Sequence, residues 1–135
     1  MKVITDNKNV ILYLLEDGGS VVHDGDLLRL GDPEELIIQL DEGVEVVDYD
    51  GVSVPTKVWP NLYCYNGSEF TLNQDHSIVK AEREKRDALL EKTDWWCLSD
   101  QIPTQAQLDY RQALRDITDH ANWPELTDAD WPTKP

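Results

Sequence analysis

The chain has 135 residues, and 40% of them are hydrophobic, with five Trp and five Tyr, which excludes wholesale disorder; 29% charged residues leave room only for a thin core. A formal net charge of −15 repels nucleic acid and anionic membrane, so a basic or neutral protein surface is the natural partner. No stretch approaches the ~20 apolar residues of a bilayer span, and MKVITDNKN lacks the pattern of a secretory signal.

The charge is uneven. Residues 1–75 hold 15 acids and 4 bases, whereas residues 76–135 hold 12 acids and 8 bases. The first half carries strand punctuation. VILYLLE (Val10–Glu16) is bounded by Asn7-Lys8-Asn9 and Asp17-Gly18-Gly19, turn formers that tolerate positive φ or bond their own backbone. DPEELIIQL leaves two readings open for residues 32–40. LIIQL suits a strand, while Asp32 as N-cap, Pro33 at N1 and Glu35 at N3 suit a short helix. VEVVDYDGVSV (Val44–Val54) contains Asp50-Gly51. In LYCYNGSEFTL, Asn66-Gly67 between two aromatic-rich arms signals a hairpin with a type I′ turn. Tyr63 and Tyr65 before that turn, and Phe70 and Leu72 after it, repeat with period two and give each arm one apolar face.

At Asn73–His76 the period changes. From about Ser77 to Lys92 there is no Gly or Pro, and the composition is that of a helix. Its middle, KAEREKRD, has no apolar stripe, so it is either a solvated connector or one face of a multichain assembly. Pairs such as Glu82 with Arg86 and Glu84 with Lys80 suit the solvated version. Thr104 with Gln107 forms a capping box for a second helix, whose apolar face is Ala106, Tyr110, Ala113, Leu114, Ile117 and Ala121. The loop Cys97–Pro103 then makes the two helices an antiparallel hairpin. Two Trp-Pro pairs in NWPELTDADWPTKP forbid helix before each proline and favour an extended tail. The fold class is therefore α+β: an acidic β-rich domain over residues 1–75, and over residues 76–135 a long helix and helical hairpin with a Trp-Pro tail.

The chemistry of a catalytic or metal site is not legible. His23, His76 and His120 are isolated, and no HExxH, GxGxxG, Walker A or GxSxG pattern occurs. Cys64 and Cys97 fall outside any CxxC pattern and read as free thiols in a reducing compartment. Acid pairs such as Asp24 and Asp26 lack the ligand count of a calcium loop and read as a solvated acidic loop. The expectation is no catalysis, no metal and no cofactor. The aromatics carry more information. Trp95 and Trp96 differ by ~100° on a helix, so only one can face a given neighbour. Trp123 and Trp131 stand on a terminal segment with little to bury them, as docked tail or as partner contacts.

RDALLEKTDWWCLSD (Arg86–Asp100), YRQALRDI (Tyr110–Ile117) and NWP (Asn122–Pro124) together resemble the C-terminal module of phage tail assembly chaperone proteins. Its pattern is R-x-x-L-L-x-x-T-D-W, a short loop, Y-R-Q-x-L-R-D and a Trp-Pro ending. Trp96 departs from it, standing where a variable and often polar residue is expected. The N-terminal half resembles, more loosely, the small β modules that often precede this module. The resemblance implies a non-enzyme that assists folding, trimerisation or attachment of a trimeric tail fibre in the host cytoplasm during assembly, or stays in the virion tail as a structural subunit, with a homo-oligomer also allowed. The rival readings are an acidic decoy for a host nucleic-acid-binding protein and a hydrolase of phage glycan or peptidoglycan. The expected partner-binding residues are Trp95, Trp96, Tyr110, Trp123, Pro124, Trp131 and Pro132. Within that set Trp95 is the expected inward anchor against Tyr110, Leu114 and Ile117, and Trp96 the expected partner contact.

Overall fold

A computed structural model describes residues 1–31 and 36–135. Its contacts divide the chain into two compact units, Met1–Asn73 and Gln74–Pro135.

The first unit is antiparallel throughout. Strands β1 (Lys2–Thr5), β2 (Ile11–Leu15) and β6 (Val47–Tyr49) form one sheet in the order β2-β1-β6. Strands β3 (Val21–Asp24), β4 (Leu27–Leu30) and β5 (Leu36–Gln39) form a second in the order β3-β4-β5, and β7 (Tyr63–Tyr65) pairs with β8 (Phe70–Leu72). Alternation sends Ile4, Leu28, Leu30 and Leu40 into one buried cluster, with Leu12, Tyr13, Val21, Ile38 and Val46 packed against it. Of the two readings for residues 32–40, Leu36–Gln39 is strand, while the expected capping residues Asp32, Pro33 and Glu35 lie outside the described residues.

Three turns show how local chemistry sets register. Asp6 Oδ1 accepts from the amides of Lys8 and Val10 at 2.8 and 2.9 Å, and Asn9 takes φ 65°, so a five-residue turn, Asp6–Val10, joins β1 to β2. The acids of HDGD cap a hairpin: Asp24 pairs with Leu27, and Gly25 at φ 61° opens a two-residue loop, the geometry of a II′ turn. The expected hairpin around Asn66-Gly67 forms, with Tyr63 opposite Leu72 and Tyr65 opposite Phe70. Its turn differs from expectation, because Gly67 has φ 94° but Asn66 is not in the left-handed region. Asn66 Oδ1 instead accepts from the amides of Ser68 and Glu69, which makes the loop four residues long and replaces the type I′ turn. Tyr65 then stacks on Phe70 at 4.5 Å and meets Tyr49 edge-on at 5.0 Å.

The second unit contains α1 (Ser77–Glu91), a 3₁₀ turn (Asp94–Cys97), α2 (Gln105–Arg115) and a second 3₁₀ turn (Asp116–Asp119). His76 caps α1, its Nδ1 accepting from the amide of Ile78 at 3.2 Å. Arg86 pairs with Asp87 and Lys80 with Asp75, in place of the expected Glu82–Arg86 and Glu84–Lys80 pairs. The expected capping box is present in full: Thr104 Oγ1 accepts from the Gln107 amide and Gln107 Oε1 from the Thr104 amide. Residues 121–130 run largely in turns instead of the extended course expected of a Trp-Pro tail. Among the described residues, no helix is long and apolar enough to cross a membrane.

Candidate functional site

The helical unit is built around a small apolar cluster and a buried cation. Trp96, Tyr110 and Leu114 are buried against one another, with Leu89, Leu90 and Trp131 packed around them. The Trp96 and Tyr110 rings lie 6.0 Å apart. This reverses the expected roles of the tryptophan pair: Trp96 is the anchor, 4% exposed, and Trp95 is 54% exposed. The physical reason is phase. Leu89, Thr93 and Trp96 stand at i, i+4 and i+7, one stripe of a helix. A 3₁₀ turn from Thr93 keeps that stripe, because residues three apart eclipse in it. Trp95 falls off the stripe in either geometry.

Beside the cluster, Arg111 closes the end of α1. Its Nη1 donates to the Leu90 carbonyl at 2.9 Å and to Thr93 Oγ1 at 2.7 Å, while Nη2 donates to Asp94 Oδ1 at 2.9 Å. Thr93 Oγ1 in turn donates to the Leu90 carbonyl at 3.1 Å. The last carbonyls of a helix have no intrahelical partner, and a guanidinium there satisfies them and complements the helix dipole. Arg111 itself is 7% exposed and Thr93 1%. Sequence reasoning passed over this residue. The signal available was its position between Tyr110 and Leu114 on the face expected to be apolar, where a long basic side chain requires a buried partner.

The tail docks on its own unit. Lys85 Nζ lies 4.4 Å from the Trp131 ring centroid and Lys134 Nζ 5.7 Å from that of Trp96. Asp130 holds the turn between the two Trp-Pro pairs. It accepts from the Thr127 amide at 2.9 Å and from Asn122 Nδ2 at 3.2 Å, and His120 Nε2 stands 3.8 Å away. The Thr127 amide first, then the Asn122 side chain, hold its carboxyl below the ordinary value of 3.8. Trp123 is buried at 8% exposure, Pro124 is buried with it, and Trp131 and Pro132 are half-buried. Pro132 joins Ala113, Asp116, Ile117, Asp119, His120 and Asp130 around a hollow of ≈ 320 Å³.

Of the seven residues expected to touch a partner, Trp96, Tyr110, Trp123 and Pro124 thus lie in the interior, Trp131 and Pro132 are partly covered, and Trp95 is open to solvent. Further exposed apolar side chains follow it: Leu98 at 55%, Ile102 at 95% and Leu108 at 41%. Cys97 is an exposed free thiol, and among the described residues no three His, Cys, Asp or Glu groups are placed to hold a metal ion.

Residues 79–135 match the family model described as phage tail assembly chaperone protein. No curated protein matches the chain, and no solved structure does.

Proposed function

We propose, from the match of residues 79–135 to the phage tail assembly chaperone family, that this chain binds the phage tail fibre and aids its folding, trimerisation or attachment, without catalytic chemistry. The family match carries the reading. It covers the whole of the clamp and cluster described above, from Leu89 and Leu90 through Arg111 and Trp131. The surface supports a binding role: a unit of this size leaves Trp95, Leu98, Ile102 and Leu108 exposed close together in sequence, and exposed apolar groups beyond isolated ones mark contact sites. The acidic field, −15 over the chain, suits a partner surface that is basic or neutral. We place its action in the host cytoplasm during tail assembly.

Co-expression of the chain with the tail fibre protein of the same phage tests this. The expected result is more soluble trimeric fibre and co-purification of the two proteins; unchanged fibre solubility with no co-purification would overturn it. Retention in the virion as a structural subunit is the neighbouring reading, and mass spectrometry of purified particles separates it from transient assistance.

A further inference from the structure

We propose that the tail protein is held on the apolar ridge formed by Trp95, Leu98, Ile102 and Leu108, and that the segment held is itself apolar and flanked by lysine or arginine. This rests on the tail-assembly reading above and names the face that would perform it.

The ridge follows from the turns that end α1. Leu98 donates its amide to the Trp95 carbonyl at 3.3 Å, and Gln101 donates to the Leu98 carbonyl at 2.9 Å, so the chain coils through Trp95, Leu98 and Gln101 before Ile102. Leu108 stands one turn before Arg111 on α2, and Arg111 holds Asp94, the neighbour of Trp95; residues three apart share a side of a helix. With Trp96, Tyr110 and Leu114 filling the interior, these four side chains have no place in the core of the unit. Ile102, at 95% exposure, touches almost nothing.

The charge of the segment that carries the ridge selects the occupant, with Arg111 on Asp94 and Lys134 over the Trp96 ring as the neighbouring cations. Asp94–Asp109 contains three acids and no lysine or arginine. Asp94 is paired with Arg111, but among the described residues Asp100 and Asp109 pair with no cation, and the nearest partner of Asp109 is the neutral amide of Gln105 at 2.8 Å. A second copy of this chain on the same ridge would set those acids against their own images, because a two-fold contact is self-complementary. A segment with basic flanks meets apolar groups at the centre and carboxylates at the rim. Four side chains are a fraction of the ~20–30 residues a side of a stable interface, which suits a hold that is later released.

The test uses the full chain co-expressed with the tail proteins of the same phage, in wild-type form and as Leu98→Glu, Ile102→Glu and Trp95→Ala. All three positions are exposed, so circular dichroism and melting temperature are expected to stay at the wild-type values. Capture of the tail protein is expected to weaken about tenfold or more for Trp95→Ala and Leu98→Glu, and wild-type capture to weaken as salt rises. A surface control, Ala81→Gln at an exposed position of α1, should capture as wild type does. Capture undiminished by all three ridge variants would overturn this inference while leaving the tail-assembly reading intact. Failure of the wild type to capture any tail protein would overturn both. Capture that is insensitive to salt, or self-association of the wild type that Leu98→Glu abolishes, would overturn the assigned occupant.

Discussion

The two units are held together in different ways. In the β unit, short strands carry Val3, Ile4, Ile11, Leu28 and Leu30 to full burial, with β1 buried on both of its faces, and the polar ties lie at the surface: Asp6 and Asn66 within their own turns, and Lys2 with Asp48 and Asp17 with Met1 and Gly51 between segments. In the helical unit the buried cluster is small, and a long-range polar tie supplements it: Arg111 reaches back 21 residues to the Leu90 carbonyl and 18 to Thr93. The first unit therefore keeps its long-range polar ties at the surface, whereas the second builds one into its interior around Arg111 and Thr93. Loss of a polar side chain should consequently be more damaging in the second unit than in the first.

The adjacent tryptophans give the sharpest form of that comparison. Trp96→Ala removes the largest member of the Trp96, Tyr110 and Leu114 cluster and is expected to cost about 3–5 kcal/mol. Trp95→Ala, one residue away and 54% exposed, should stay within about 0.5 kcal/mol of wild type. Urea unfolding followed by circular dichroism measures both. Equal losses at the two positions would mean that phase does not decide which indole is core.

Arg111 comes next. Arg111→Met keeps most of the apolar stem and removes the charged donor from the buried Thr93 hydroxyl oxygen, leaving the Leu90 carbonyl to the Thr93 amide and hydroxyl alone, an expected loss of about 1–3 kcal/mol. Asp94→Ala removes only a carboxylate that is 64% exposed, and is expected to cost about 1 kcal/mol or less. If the two variants are equally destabilised, the salt bridge and not the carbonyl cap is the stabilising part of the clamp. In the β unit the comparable lesion is smaller: Gly67→Ala forces a side chain into φ 94°, with its Cβ 3.1 Å from Tyr49 Cε1, at about 1–2 kcal/mol.

These ordered effects also show what was legible beforehand. The change from strand to helix punctuation near Asn73, the β7–β8 pairing and the Thr104–Gln107 box could be read because each is set by residues within a few positions of one another. The resemblance around Arg86–Pro124 pointed to the matched family for the same reason, as a linear pattern. The β3–β4 hairpin carries an equally local signal, Gly25-Asp26 between two apolar runs, but the acids of HDGD are also what a solvated acidic loop contains, and the two differ only in whether the flanking strands pair. The Arg111 clamp lay beyond reach of spacing arguments, since its partners are 17 to 21 residues away. Which tryptophan turns inward was legible from the Leu89, Thr93, Trp96 stripe, but only to a reading that carried helical phase past the end of α1.

Acid provides the mildest way to probe the comparison, because among the described residues each unit contains a carboxylate held below its ordinary value, exposed in the first and half-buried in the second. In the β unit it is Asp17, lowered by the N-terminal ammonium of Met1 and then by the Gly51 amide. In the helical unit it is Asp130, lowered by Thr127 and Asn122. A carboxyl whose folded pKa lies below its unfolded value stabilises the fold above the unfolded value, and that contribution is lost as pH falls through the folded one. Both contributions are therefore full at neutral pH and fade as pH falls below the ordinary 3.8. Four of the five tryptophans, at 95, 96, 123 and 131, lie in the helical unit, so tryptophan emission reports mainly that unit. Asp130→Asn is expected to lower stability slightly at pH 7 and to reduce the acid sensitivity of the emission below pH 4, whereas Asp17→Asn should leave the emission profile unchanged and reduce the acid sensitivity of the sheet signal in circular dichroism. An Asp130→Asn profile that superimposes on wild type at every pH would show that the tail turn is held by Trp131 and Pro132 packing alone, and would narrow the polar contribution in this unit to the Arg111 clamp.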